Sequence, residues 1–173
     1  ETLTELKKAG IKTAIVTNKP DNNAKDLAQK FFGGLIDAVA GSEDNKPKKP
    51  NPYQVLKALE ILEVNKKDAV FVGDSDVDIW TGKNSGLKTI SCCWGFRSEK
   101  FLIQNGAQKI ISKPVELLEI VLGKKKQVTQ KIQGENLSGE IARELDFYRI
   151  REKISEYAST IEGKENILNT EPT

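Results

Sequence analysis

Six consecutive residues, Gly73-Asp74-Ser75-Asp76-Val77-Asp78, carry three carboxylates directly after the apolar run Ala69-Val70-Phe71-Val72. Carboxylate oxygens clustered at a strand end suit a hard cation, above all Mg²⁺, which keeps several waters and also takes substrate phosphate. The chemistry implied is magnesium-dependent phosphoryl transfer. Asp74, at the strand terminus, is the candidate metal ligand. Asp78 falls in the first turn of the following helix, where it can orient a metal-bound water or pair with Lys49. The same acids also suit plain helix capping, since carboxylates are favoured at a helix N-terminus.

Two other segments can contribute. In open α/β sheets, ligands bind outside the carboxyl ends of the strands. Thr17-Asn18 follows the β-leaning run Ile11-Lys12-Thr13-Ala14-Ile15-Val16. A hydroxyl and free backbone N–H groups there can cradle a phosphate oxygen, although the pair also reads as an Asn/Pro turn. Lys49 lies in Lys48-Lys49-Pro50-Asn51-Pro52. Two prolines stiffen that loop and can aim an ammonium at a phosphate or a carboxylate. A basic surface loop is the simpler reading.

These residues need a scaffold. The pattern predicts helices over 3–9, 22–32, 53–63, 77–85, 98–105 and 114–122. Strands are predicted over 11–16, 38–40, 69–72, 88–92 and 109–111. In helix 53–63 the expected buried face is Val55, Leu56, Leu59 and Leu62. Alternating strands and helices at this spacing predict βαβ units and a parallel sheet. Residues 123–140, which begin with Gly123 and Lys124-Lys125-Lys126, read as a linker. A helical segment follows over 141–173. In it Phe147, Ile150, Ile154, Tyr157 and Ile161 form one apolar stripe, so helix 145–161 is expected to pack on the first domain, or to meet a partner or a second copy of itself.

Composition narrows the function. The 173 residues are 38% hydrophobic and 30% charged, with net charge +2. So slight a balance gives no global field for nucleic acid, and none is expected for residues 1–122. No apolar run approaches the ~18–20 residues that cross a bilayer. Without histidine, histidine triads and histidine metal sites are excluded. Cys92 and Cys93 are adjacent in an apolar run, where strand neighbours point to opposite faces. They read as reduced core residues of a cytoplasmic protein.

Taken together, Ala14-Ile15-Val16-Thr17-Asn18-Lys19-Pro20, Lys49-Pro50-Asn51-Pro52, Val72-Gly73-Asp74-Ser75-Asp76-Val77-Asp78 and Trp94-Gly95-Phe96-Arg97 resemble the haloacid dehalogenase-like hydrolase superfamily, in its phosphoglycolate phosphatase-like branch. The resemblance covers residues 1–122. It implies a Rossmann-like parallel sheet and a phosphoric monoester hydrolase acting on a small phosphorylated metabolite with Mg²⁺. It also implies roles. Thr17 would hydrogen-bond the transferring phosphoryl group and Asn18 would assist. Lys49 would offset charge on the phosphoryl and the nucleophile. Asp74 would bind Mg²⁺, and Asp78 would support it.

One departure is large. The family's nucleophile is the first aspartate of an Asp-x-Asp pair on an N-terminal strand, which lies between the strands matching 11–16 and 69–72. No such strand precedes residue 11, and the cap domain that selects substrate has no counterpart. The chain also begins inside a helical pattern and contains no methionine. The expectation is an N-terminally truncated core, a fragment that is inactive as the isolated chain. An alternative is a non-catalytic fragment joined to a longer DNA-processing protein. The C-terminal residues Leu145-Asp146-Phe147-Tyr148-Arg149-Ile150-Arg151-Glu152-Lys153-Ile154, Tyr157-Ala158, Glu162-Gly163-Lys164-Glu165 and Glu171-Pro172 resemble the start of the bacterial MutS-like endonuclease family. They contain none of its ATPase or nuclease motifs.

Overall fold

The computed structural model describes residues 1–123. Nearly all of the expected linker over 123–140, the helical segment over 141–173 with its stripe, and the MutS-like resemblance lie outside the described residues.

The order of elements is α1 (Thr2–Lys8), β1 (Ala14–Pro20), α2 (Asp21–Phe32), β2 (Ala38–Ser42), α3 (Tyr53–Leu62), β3 (Val70–Gly73), α4 (Asp76–Ser85), β4 (Lys88–Cys92), α5 (Glu99–Gln104), β5 (Ile110–Ile111) and α6 (Glu116–Leu122). A single 3₁₀ turn over Lys66–Asp68, which the pattern does not predict, leads into β3. Local chemistry accounts for several boundaries. Left-handed Gly33 closes α2, and left-handed Gly86 closes α4. Ser75 opens α4 by accepting a hydrogen bond from the Asp78 N–H on its hydroxyl, 3.2 Å.

All strand pairs are parallel, as the βαβ pattern predicts, but they form two sheets. One is β1-β2 and the other is β3-β4-β5. The strands that flank the division, β1 and β3, share no hydrogen bonds and are joined through side chains. Val55 of α3, Phe71 of β3 and Leu87 form a buried cluster, and Val16 of β1, Leu59 and Ala69 pack against it. A second cluster, Ile90, Cys92 and Ile111, carries Val72, Trp94 and Leu117 on its flanks.

Two expectations need correction. The first strand does not end at Val16. Ala14, Ile15 and Val16 pair with Ala38, Val39 and Ala40. The register then slips, and Pro20 faces Ser42. Thr17 and Asn18 therefore lie inside β1, in its irregular part. Extended backbone can run on through Pro20 because proline's φ fits a strand edge where no donor is needed. In α3, Leu56 is 38% exposed, while Gln54 is buried with Val55, Ala58 and Leu62. The buried stripe is rotated toward Gln54, because that side chain has a polar task described below.

Candidate active site at the carboxyl ends of the strands

A hydrogen-bonded chain links the first strand to the carboxylate loop. Gln54 Nε2 donates to the Thr17 carbonyl at 2.6 Å, and Gln54 Oε1 accepts from the Lys49 N–H at 3.2 Å. Asn18 grips the same residue from the other side. Its Oδ1 accepts from the Lys49 N–H at 2.7 Å, and its Nδ2 donates to the Lys49 carbonyl at 3.2 Å. The backbone at Lys49, which precedes a cis peptide to Pro50, is thus held by two side chains.

That grip positions the ammonium. Lys49 Nζ lies 2.7 Å from Asp78 Oδ1, with the two side chains 13% and 9% exposed. The ammonium also sits 6.0 Å from the centre of the Phe71 ring. Asp78 Oδ2 accepts from the Ser75 hydroxyl at 2.6 Å and from the Asp74 N–H at 3.2 Å. Burial pushes the Asp78 carboxyl up. The Lys49 charge and the bonds from Lys49, Ser75 and Asp74 outweigh it and hold the group below the usual carboxylate range. The two readings of Asp78, cap and partner of Lys49, are therefore both realised by one carboxylate. Gly73 makes room for it, since a Cβ there would come within 2.2 Å of Asp78 Cβ.

Asp74 is held on its other flank. Its Oδ2 accepts from the Phe96 N–H at 2.8 Å. Oδ1 has no hydrogen bond among the described residues. Asp76 is turned toward Arg97, whose Nε is 3.4 Å from its Oδ1. The geometry is too poor for a hydrogen bond, so that buried oxygen is compensated by charge alone. Thr17 Oγ1 accepts from the Lys19 N–H at 3.2 Å, which leaves its hydroxyl proton for another acceptor.

The structure thus links Thr17, Asn18, Lys49, Asp78 and Asp74 through adjoining contacts. Sequence reasoning did not single out Gln54, the residue that ties Thr17 to Lys49. A polar side chain on the buried stripe of a helix was the available signal. Cys92 lies close by, and burial, with the Asp74 and Asp78 charges, pushes its thiol up to about 12. It is a neutral core group and not a nucleophile.

The donor set suits a hard cation in type. Asp74 offers a carboxylate oxygen, and Mg²⁺ is commonly bound through one or two carboxylates with water and phosphate completing the shell. Among the described residues, no group of three or more acidic, cysteine or histidine side chains could hold a metal by itself.

The chain is similar to known proteins. Residues 1–86 match the model of a hydrolase family, the haloacid dehalogenase-like hydrolases. The chain is 41% identical over 96 residues to a phosphoglycolate phosphatase of Aquifex aeolicus, covering 55% of this chain and 45% of that protein. It is 36% identical over 121 residues to the pyrophosphatase PpaX of Bacillus velezensis, covering 69% and 56%. Among solved structures it resembles a mutant of CbbY from Rhodobacter sphaeroides in complex with xylulose-1,5-bisphosphate. There the TM-score is 0.56 at 30% identity, over 67% of this chain and 52% of that one. The chain spans about half the length of the curated relatives it matches. The described residues share the α/β fold of the solved structure they resemble. No helix among the described residues is long and apolar enough to cross a membrane.

Proposed function

We propose, from the match of residues 1–86 to the haloacid dehalogenase-like hydrolase family, that these residues are the phosphate- and cation-binding half of a magnesium-dependent phosphatase. The substrate is a small phosphate monoester such as phosphoglycolate, and the location is the cytoplasm. The observation that carries this reading is the buried Lys49–Asp78 pair beside Asp74. It sets a fixed cation next to a carboxylate with an open oxygen, at the mouth of β3.

In this reading Asp74 holds Mg²⁺, which when bound supplies positive charge to the phosphate oxygens. Thr17 donates its hydroxyl proton to a phosphoryl oxygen. The Lys49 ammonium has donors beyond the one given to Asp78, and it offsets the charge that spreads over the equatorial oxygens. Gln54 and Asn18 keep the Lys49 backbone in register with Thr17. Asp78 keeps the ammonium in place and the Asp74 N–H engaged.

The covalent step belongs to another carboxylate. An aspartate oxygen attacks phosphorus, the alkoxide leaves with a proton from a second acid, and water then cleaves the aspartyl-phosphate. In this reading the isolated chain does not turn over phosphate esters, because the residues assigned above bind phosphate and cation and none of them is the attacking carboxylate. A phosphatase assay on the purified 173-residue chain with Mg²⁺ and phosphoglycolate tests this. The expected result is no turnover above the Asp74→Asn variant. Turnover that Asp74→Asn removes overturns the inactivity and retains the enzyme.

The relative named pyrophosphatase PpaX favours a second substrate, a pyrophosphate. Competition between the two ligands for the chain, read by thermal shift with Mg²⁺, separates them.

A further inference from the structure

The turn Trp94-Gly95-Phe96-Arg97 follows β4 and has no part in the reading above. Contacts on both sides hold it in place. β4 pairs with β3 so that Ser91 faces Gly73, which brings the end of β4 beside the carboxylate loop. Trp94 packs on the cluster of Ile90, Cys92 and Ile111. At the other end, Arg97 reaches Asp76 at 3.4 Å and lies 4.6 Å from the Phe101 ring. The turn is anchored on both sides of its central peptide.

That peptide meets Asp74. The Phe96 N–H donates to Oδ2 at 2.8 Å, while the Phe96 residue is 85% exposed. A Cβ on residue 95 would lie 1.9 Å from Asp74 Oδ2, 2.1 Å from its Cβ and 2.3 Å from its Cγ. Gly95 does not have a left-handed backbone, so conformation does not require a glycine there. Space does. The only way for the peptide to approach the carboxylate this closely is for residue 95 to lack a side chain.

We propose that the Gly95–Phe96 peptide is a positioning group for the cation-binding carboxylate. Its N–H fixes Oδ2 of Asp74 and so leaves Oδ1 as the oxygen presented to the metal. The carboxylate is then pre-oriented, and little rotamer freedom is lost when the cation binds. Partners that hold a metal-ligating carboxylate in this way tune affinity without touching the metal. A methyl group at residue 95 would meet Asp74 Cβ as well as the carboxylate, so the turn and the end of β3 must move apart and the Phe96 N–H is drawn away from Oδ2. The inference rests on the reading of Asp74 as the cation ligand.

The test is amide NMR on the 173-residue chain titrated with Mn²⁺, in wild type and Gly95→Ala, with thermal melts of both. In wild type, Mn²⁺ broadens the amides around Asp74. In Gly95→Ala, measured at a temperature where the melts show both chains folded, the Mn²⁺ affinity falls ~10-fold or more. Equal affinity in the two chains overturns the inference and leaves Asp74 as the ligand. No broadening at Asp74 in wild type overturns that assignment and the inference with it. A second measurement does not depend on the variant folding. Asp74→Ala, compared with wild type, must speed solvent exchange of the Phe96 amide, and unchanged exchange overturns the proposal.

Discussion

The Lys49 ammonium and the Asp78 carboxylate lie 2.7 Å apart, largely buried, and are tied by backbone contacts to two different strands. Asp78 reaches the Asp74 N–H just after β3, while Lys49 is gripped by Asn18 within β1. The ion pair therefore spans the division between the two sheets, where no described strand supplies ladder hydrogen bonds. Removing one partner leaves an uncompensated charge in a site with little water. Lys49→Met is expected to lower the free energy of unfolding by ~3–5 kcal/mol, read from urea denaturation near neutral pH. A loss under ~1 kcal/mol, the size seen for exposed pairs, would show that the pair is solvated.

The same pair sets an acid limit. The folded Asp78 carboxyl titrates below its ordinary value of 3.8, so the unfolded chain takes up that proton first as pH falls. Stability from the pair is complete above the unfolded value. It declines as pH drops below about 4 and is gone once pH passes through the folded value. Asp78→Asn should flatten the pH dependence of unfolding in that acid range and leave the slope at neutral pH alone. An unchanged acid slope would exclude Asp78 as its source.

Gln54 satisfies two backbone groups from within the core. Gln54→Leu keeps the volume roughly and removes both bonds, which leaves the Thr17 carbonyl without that donor. A cost of ~1–3 kcal/mol is expected. Chemical shifts of Thr17 and Lys49 should move together, since one side chain links them. Movement at only one of the two would show that Gln54 does not couple them.

Mg²⁺ should raise the melting temperature of the wild-type chain in proportion to the logarithm of its concentration once the site is mostly filled. Asp74→Asn should abolish that rise, and chelation should reverse it. A rise of equal size in the Asn variant would place the cation elsewhere.

Cys92 and Cys93 are adjacent but differ in environment. The Cys92 thiol is buried and pushed up to about 12, while Cys93 is half-buried and raised mainly by burial. Alkylation of the native chain at mildly alkaline pH, followed by mass spectrometry, should modify Cys93 well before Cys92. Equal rates would mean that the end of β4 opens readily.

Much of the scaffold was legible because it rests on local signals. The helices that stop at Gly33 and Gly86, and the acidic residues at the start of α4, act within a few residues of themselves. The boundary of β1 was not legible in this way. Whether Thr17 and Asn18 continue a strand depends on β2, some twenty residues away, with which the register slips. The buried face of α3 was misjudged at Leu56 and Gln54 for a related reason. Hydrophobic periodicity cannot see that a glutamine has two backbone partners waiting inside.

The sequence by itself determined the order of strands and helices and the parallel pattern. It also determined the residue types at the strand ends, including the oxygen-rich loop that suits a hard cation. Periodicity, turn chemistry and carboxylate spacing are properties of neighbouring residues, and they survive without a fold. Only the tertiary structure decided that Asp78 pairs with Lys49 while also bonding to Ser75. It also decided that Gln54 and Asn18 hold the Lys49 backbone, that Gly95 lets a peptide N–H reach Asp74, and that the strands divide between β1 and β3. The contacts of Lys49 with Asp78 and Asn18, of Gln54 with Thr17, and of the Phe96 N–H with Asp74 join groups more than twenty residues apart in the chain. They exist only because burial brings these groups within hydrogen-bonding distance and penalises any that arrive without a partner.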